Sequence, residues 1–343
     1  MDELAIKTVK DGFQNFQTSI RFRTTDKPND VVQQAISRDP KIKYYLHSCS
    51  IVGMFGGYEI RAQYIHKDTD RADIQIVMSQ DECEKLICQY VGKYKKKLIA
   101  IAKGNVDLSK AMKAFHEKHA SFYPNLTSTS GMNYHSNPEY TVFEFKFEYR
   151  IGQVKLAQME QEVGAEVDRI ARFLFKPNMP REAKIYLAHN YLATTVDYVD
   201  DDDNRLDLSY TQSAYGALIK KQCVCQGFAE AFKRLMDAAK IECNVIYGQN
   251  TGSTVLHAWN LVSLGNGSSY YHIDVTWDAA GTRPGYLYFC KNDAYFNGKR
   301  TWNREYNPVC SGTYPVLSMA RKYVMLNKQK LLSGGIESRI LDC

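Results

Sequence analysis

At 343 residues the chain is long enough for two or three domains, each with its own core. Its 44% apolar and 24% charged residues exclude wholesale disorder. A net charge of +6 spread along the sequence excludes a dominant nucleic-acid face, and the tight basic run at Lys93, Lys95, Lys96 and Lys97 reads as the solvated end of a helix.

The cysteines are Cys49, Cys83, Cys88, Cys223, Cys225, Cys243, Cys290, Cys310 and Cys343. An odd number without tight spacing points away from a disulfide framework and toward a reducing compartment. No C-x-x-C pair is present, so no structural zinc is expected. The first residues lack the charged-then-apolar layout of a signal peptide, and no run reaches transmembrane length. The expectation is a cytoplasmic protein without a membrane span, or a secreted one if an export signal has been cut away.

In chain order, residues 1–79 and 80–152 read as two α/β modules that repeat one another. Each has an apolar strand (18–22 and 98–101) followed by a helical stretch (30–37 and 107–119). Each closes on an alternating strand, from Tyr58 to Tyr64 in one and from Phe143 to Tyr149 in the other. Both closing strands follow aromatic–Glu–apolar–basic–apolar–polar–Tyr, a period of two with one buried face. No chemical constellation stands in these modules, so substrate binding or spacing is the role they suggest. His116 and His119 are three apart where a zinc-protease helix needs four, and they read as a solvated helix end.

The pattern changes after Gly152. Leu156, Met159, Val163, Val167, Ile170 and Leu174 make an amphipathic helix that ends before Pro177 and Pro180. A second helix over 181–196 leads into an acidic run at 200–203. Arg205 and Thr211 stand where a calcium loop needs glycine and glutamate, so a hydrated loop is expected and no metal.

Next comes Cys225, in front of Phe228, Phe232, Leu235, Met236 and Ala239, which share one face of a 3.6-residue period. A cysteine at a helix start is favoured as thiolate by the free N–H groups and the helix dipole. Gly227 would leave room for a substrate backbone, and Cys223 lies on the connecting segment. Strands 257–264 and 270–277 then form a hairpin. A two-residue turn at Gly265 and Asn266 sets His257 directly opposite Asp274, and a four-residue loop leaves them diagonal on the same face. Either register gathers Ala258, Val262, Leu264, Ile273, Val275 and Trp277 on an apolar face, which an odd-length loop would scramble. A thiol, a base and a carboxylate to orient the base are the parts of a Cys/His/Asp site. Beyond the hairpin, 286–290 reads as a strand, 292–302 as a loop or short helix, and 321–332 as a basic helix.

The segments CQGFA from Cys225, HAWNLV from His257 and YHIDVTWD from Tyr271 resemble, in that order, the core of the transglutaminase-like superfamily. SAYGAL from Ser213 is similar to the lead-in of its bacterial members. The resemblance runs from about residue 180 to about residue 305. It implies an α+β fold with a papain-like transglutaminase core, a cysteine-bearing helix packed on an antiparallel sheet, preceded by the two α/β modules, with 153–343 as the catalytic domain. It matches Cys225 to the nucleophile, His257 to the base and Asp274 to its orienting carboxylate, and gives Trp259 the task of walling off the site.

The oxyanion is expected to be held by the Cys225 N–H and one upstream donor, Tyr215 in preference to Gln212. His272 shares the polar face and is read as a neighbour lining the site. The reaction expected is thiol-dependent acyl transfer on a peptide or protein amide, as a cysteine peptidase in the first place. The alternatives are a protein-glutamine transglutaminase or deamidase, and a catalytically silent binding module. A metal-binding protein using Cys223, Cys225 and His257 is a remoter possibility. No cofactor and no nucleic-acid partner are expected, and the oligomeric state is open.

Overall fold

The structure, a computed structural model, describes residues 2–64, 74–104, 106–118, 125–136, 140–199, 208–265, 270–279 and 285–341, and only the backbone of 116–118, 132–136, 208 and 209. His119, the acidic run at 200–203 and Asn266 therefore lie outside the described residues. The chain divides into two compact units, Met1–Phe115 with Leu126–Glu148, and His116–Asn125 with Tyr149–Cys343. Helices and antiparallel sheets are mixed, as the α+β expectation required. No helix among the described residues is long and apolar enough to cross a membrane.

In the first unit one path is traced twice. Helix α1 (Glu3–Gln14), β1 (Ser19–Phe22), α2 (Pro28–Ser37), the short α3 (Lys41–Tyr45), β2 (Leu46–Met54) and β3 (Gly57–Tyr64) make the first run. Strand β4 (Ile74–Val77) precedes the second, which is α4 (Gln80–Gly92), β5 (Lys97–Lys103), α5 (Leu108–Lys118), β6 (Leu126–Ser136) and β7 (Tyr140–Tyr149). The sheets are ordered β1-β3-β2 and β4-β5-β7-β6, so the closing strand lies between the other two in each run. Strand β4 adds to the second sheet in parallel with β5. Strand β3 buries Ile60 and Ala62 and exposes Arg61 and Gln63, the alternation read from the sequence. Strand β7 departs from it. Glu144 is buried there, accepting from the Tyr44 hydroxyl at 2.7 Å, beside a core that includes Ile42, Ile99, Ile101 and Val142.

The second unit is built around a buried helix. Helix α6 (Gln153–Leu174) lays Met159, Val163, Val167, Ile170 and Leu174 on the core, the stripe its period predicts. Helix α7 (Arg181–Thr195) is buried on nearly every side, as a helix in the middle of a core must be. It packs against α9 (Cys225–Ala238), α12 (Val316–Ser333) and α13 (Ser338–Leu341). Between α7 and α9 run β8 (Asp197–Tyr198), α8 (Leu208–Thr211) and β9 (Gln222–Cys223), with β8 and β9 paired in parallel. The second sheet is antiparallel, ordered β12 (Tyr270–Ile273), β11 (Leu256–Ser263), β10 (Cys243–Asn250), β13 (Arg300–Trp302).

The hairpin pairs Asn260 with Ile273 and Val262 with Tyr271, the register of a four-residue loop rather than a two-residue turn. Parity is kept, so Ala258, Val262, Ile273 and Val275 are buried and Leu264 packs partly against them. Trp277 is not on that face. Strand β12 stops at Ile273 because Asp274 caps a helical turn, α10 (Val275–Asp278), accepting from the Trp277 N–H. Nor is 286–290 a strand. It is an irregular segment fastened by His272 and Lys291, which exchange backbone hydrogen bonds, and by Asp278, whose carboxylate accepts from the Tyr288 N–H at 3.0 Å. A short helix, α11 (Asp293–Phe296), then leads to β13.

Candidate active site

Cys225 is the first residue of α9, after Val224 at the N-cap. The helix is pinned by Phe228, Phe232, Leu235 and Met236 in the core and by Asn260 on β11, whose side-chain N–H donates to the Ala229 carbonyl at 2.9 Å. These fixed contacts leave the thiol partly exposed at the positive end of the helix. Gly227 leaves no space for a substrate, contrary to expectation. A Cβ there would fall 2.4 Å from Cys223 Cβ and 2.8 Å from the Thr211 carbonyl oxygen, so the glycine allows helix and strand to touch. Cys223 is fully buried, and burial pushes its thiol well above the usual range, reinforced by Cys225 nearby.

His257 is the second residue of β11, its ring beside the Cys225 thiol and its Nε2 2.7 Å from Asp274 Oδ2. With Nε2 engaged, Nδ1 is the nitrogen left for the thiol. Burial opposes the charged imidazole, but the charge and hydrogen bond of Asp274, joined by those of Cys225, outweigh it and raise the His257 pKa to about 9. The ring is held between two indoles, stacked on Trp259 at 5.8 Å and edge-on to Trp277 at 6.5 Å. Gly248, opposite His257 on β10, is what admits Trp259, since a Cβ there would lie 2.6 Å from its ring.

Asp274 is fully buried and has a second partner at the same oxygen, Arg300 Nη2 at 3.1 Å. Arg300 reaches it because β13 pairs with β10 at Asn250, and its guanidinium lies over the rings of Trp277 and Tyr288 at 4.8 and 5.0 Å. Tyr247 on β10 sets its hydroxyl beside the Gln226 side chain, near Cys225. Neither Arg300 nor Tyr247 was marked by the sequence. For Arg300 there was no signal, because a strand of three residues pairing some fifty positions upstream leaves no local period.

His272 backs the site instead of lining it. Its Nδ1 accepts the Trp259 indole N–H at 2.9 Å, its Nε2 lies 2.8 Å from Asp293 Oδ1, and Phe296 stacks on its face at 4.3 Å. An indole nitrogen can only donate, so Nδ1 must keep its lone pair and Nε2 must carry the proton. Burial holds His272 below the usual imidazole range, helped by the nearby Arg304 cation and against the pull of Asp293. His272, Asp293 and Cys310 lie within 4.8 Å of one another, a spacing a metal ion would accept. The tautomer argues against that use, because the nitrogen turned to the cluster has a proton where a ligand needs a lone pair. Arg304, 3.6 Å from Asp293, adds a competing cation.

The Tyr215 hydroxyl, expected as an oxyanion donor, donates instead to Glu162 of α6 at the exposed surface, at 3.1 Å. Gln212 stands half-buried in the turn after α8.

Solved structures similar to this chain include the following two. One is a candidate cysteine protease from Cytophaga hutchinsonii, 12% identical with a TM-score of 0.28 over 44% of this chain and 66% of that protein. The other is a TGase, 12% identical with a TM-score of 0.29 over 96% of this chain and 94% of the other. No curated protein matches the sequence. The sequence model of the transglutaminase-like superfamily matches residues 168–275, a span from the end of α6 through α9 and the hairpin to the residue after Asp274. This chain carries a transglutaminase-like domain over residues 168–275.

Proposed function

We propose that the protein is a thiol enzyme that cleaves or transfers peptide or protein amides through Cys225, His257 and Asp274. The observation that carries this reading is the pairing of His257 with Asp274 at 2.7 Å while the other side of the ring faces a thiol at a helix N-terminus. With a pKa of about 9, His257 is an imidazolium at neutral pH, the partner a thiolate needs. The thiolate attacks the amide carbonyl, the C–N bond breaks, and His257 gives its proton to the departing amine. Water or a primary amine then attacks the thioester, returns a proton to His257, and releases Cys225 as the C–S bond breaks. The Cys225 N–H at the helix start is one donor for the oxyanion.

Hydrolysis is the better supported outcome. Amine transfer needs water kept from the thioester, yet Trp259 is buried in the sheet with Trp302 against its edge. That leaves Trp277, 45% exposed, as the one of the three tryptophans at the opening. Val255 and Leu256, immediately before His257, are exposed apolar side chains, a surface suited to a peptide.

Two measurements test the reading. One equivalent of iodoacetamide near neutral pH is expected to label Cys225 ahead of the other cysteines, and uniform slow labelling would favour a silent binding module. A peptide library incubated with and without a primary amine then separates the reactions by mass. Shortened peptides mark a peptidase, a one-dalton gain a deamidase, and addition of the amine a transglutaminase.

A further inference from the structure

Oxygen Oδ2 of Asp274 accepts from His257 Nε2 and from Arg300 Nη2, and all three side chains are almost wholly out of water. An arginine keeps its charge wherever it is buried. The carboxylate therefore has a permanent cation against it whether or not His257 holds a proton. The guanidinium is clamped for this contact. Trp277 and Tyr288 cover its faces, Nη1 donates to the Lys299 carbonyl at 3.3 Å, and Nε has no hydrogen-bond partner. A buried arginine that leaves a donor unused is held chiefly by the one carboxylate it meets.

We infer that Arg300 is a positioning residue of this site: by sharing one oxygen of Asp274 with His257, it keeps that carboxylate seated and takes part of its pull off the imidazole. The inference rests on the thiol-enzyme reading above. The other titratable groups facing the trio and Arg300 are Cys223 beneath Cys225, Tyr247 from β10, His272 from β12 and Tyr288 over the guanidinium. Burial disfavours the charged forms of the first three, and none of the four is a cation that replaces Arg300. Without it the site becomes more negative by one unit, and both the imidazole and the thiol hold their protons more tightly.

The experiment is the pH dependence of Cys225 alkylation by iodoacetamide, followed by mass spectrometry in the wild type, R300M, R300Q and R300K. It needs no knowledge of the substrate. In R300M and R300Q the rise in rate is expected to move up by about one pH unit, so that labelling on the acid side slows about tenfold. R300K, which restores a positive charge, is expected to recover most of the shift. A merely structural arginine would change the amount of folded protein and not the midpoint of the profile. R300Q keeps a donor in place and serves if R300M does not fold, as judged by near-ultraviolet circular dichroism. An unshifted profile in either folded variant, beside a normally reactive wild type, overturns the role of Arg300 alone. A wild type in which Cys225 shows no preferential labelling overturns the thiol-enzyme reading, and the inference with it.

Discussion

His257 and His272 stand on adjacent strands of one sheet, on the same face, each with a ring nitrogen within 2.8 Å of a carboxylate and each against Trp259. One is raised to about 9 and the other lowered. Burial opposes the charged form of both, so the carboxylate alone does not decide. The second nitrogen separates them, and the Arg304 cation lowers His272 further. That of His257 faces a thiol, which becomes an anion when it gives up its proton and so favours the imidazolium. That of His272 faces an N–H that can never accept, and a second proton on the ring would set two donors head to head. Trp259 thus serves the two rings differently, with its face to one and its edge to the other.

The largest way to break this contrast is Asp274→Asn. It removes the charge that outweighs burial at His257 and leaves the ring free to take the wrong tautomer. Activity on a peptide substrate is expected to fall by about 10³–10⁴ in kcat. Alkylation of Cys225 at pH 6 should slow as well, because the imidazolium that supports the thiolate is lost. A variant that kept both within a few-fold of wild type would remove Asp274 from the site.

Trp259→Phe acts on both histidines at once. His257 loses the indole face stacked on it, a contact of about 1–2 kcal/mol for a desolvated cation, so kcat should drop roughly tenfold. His272 loses the donor that pins Nδ1. Its pKa is then expected to rise above that of the wild-type ring, as read by imidazole NMR. If the His272 titration does not move in this variant, burial and the Arg304 cation alone hold it down and the tautomer lock has no role.

The two rings also differ in how they link stability to pH. The folded pKa of His257 lies above 6.5, so the stability it contributes is complete below pH 6.5 and is lost as pH rises through about 9. For His272, lowered in the fold, the contribution is present above pH 6.5 and lost as pH falls through its folded pKa. Melting temperatures across pH 5 to 9.5 should therefore decline toward alkali in the wild type and decline less in His257→Gln.

Much of the candidate site's geometry was legible in the sequence because its parts announce themselves locally. Cys225 precedes an apolar stripe of helical period, and the even spacing within the hairpin fixed the face shared by His257 and Asp274 even though the register was two residues off. What failed was non-local or depended on one side chain. Asp274 ends β12 by capping a helical turn, which sends Trp277 to the rim rather than the core. At Gly227 the space a substrate backbone would need is already filled by Cys223 and Thr211, neither of which the local sequence places there. Tyr215 is drawn outward by Glu162, 53 positions earlier on another helix. In the closing strand from Phe143 to Tyr149 the sequence period puts Glu144 on the outer face, but Tyr44, a hundred residues away, holds it buried.

The smallest effect belongs to His272→Gln, and it is the sharpest test of the contrast. If His272 only holds Trp259 by its edge, a glutamine oxygen can accept the same indole N–H. Activity should then stay within about threefold and the alkylation profile of Cys225 should not move. Stability at pH 8 is expected to fall by about 1–2 kcal/mol, for the weakened hydrogen bond and the lost stacking on Phe296. That deficit should narrow below pH 6.5, because the wild-type protein must then keep a buried imidazole neutral against a protonated unfolded chain, and glutamine has no such handicap. Chemical denaturation at pH 8 and pH 5.5 reads both values. A hundredfold loss of activity, or a displaced alkylation profile, would instead put His272 on the path of the proton, and the two rings would be partners rather than opposites.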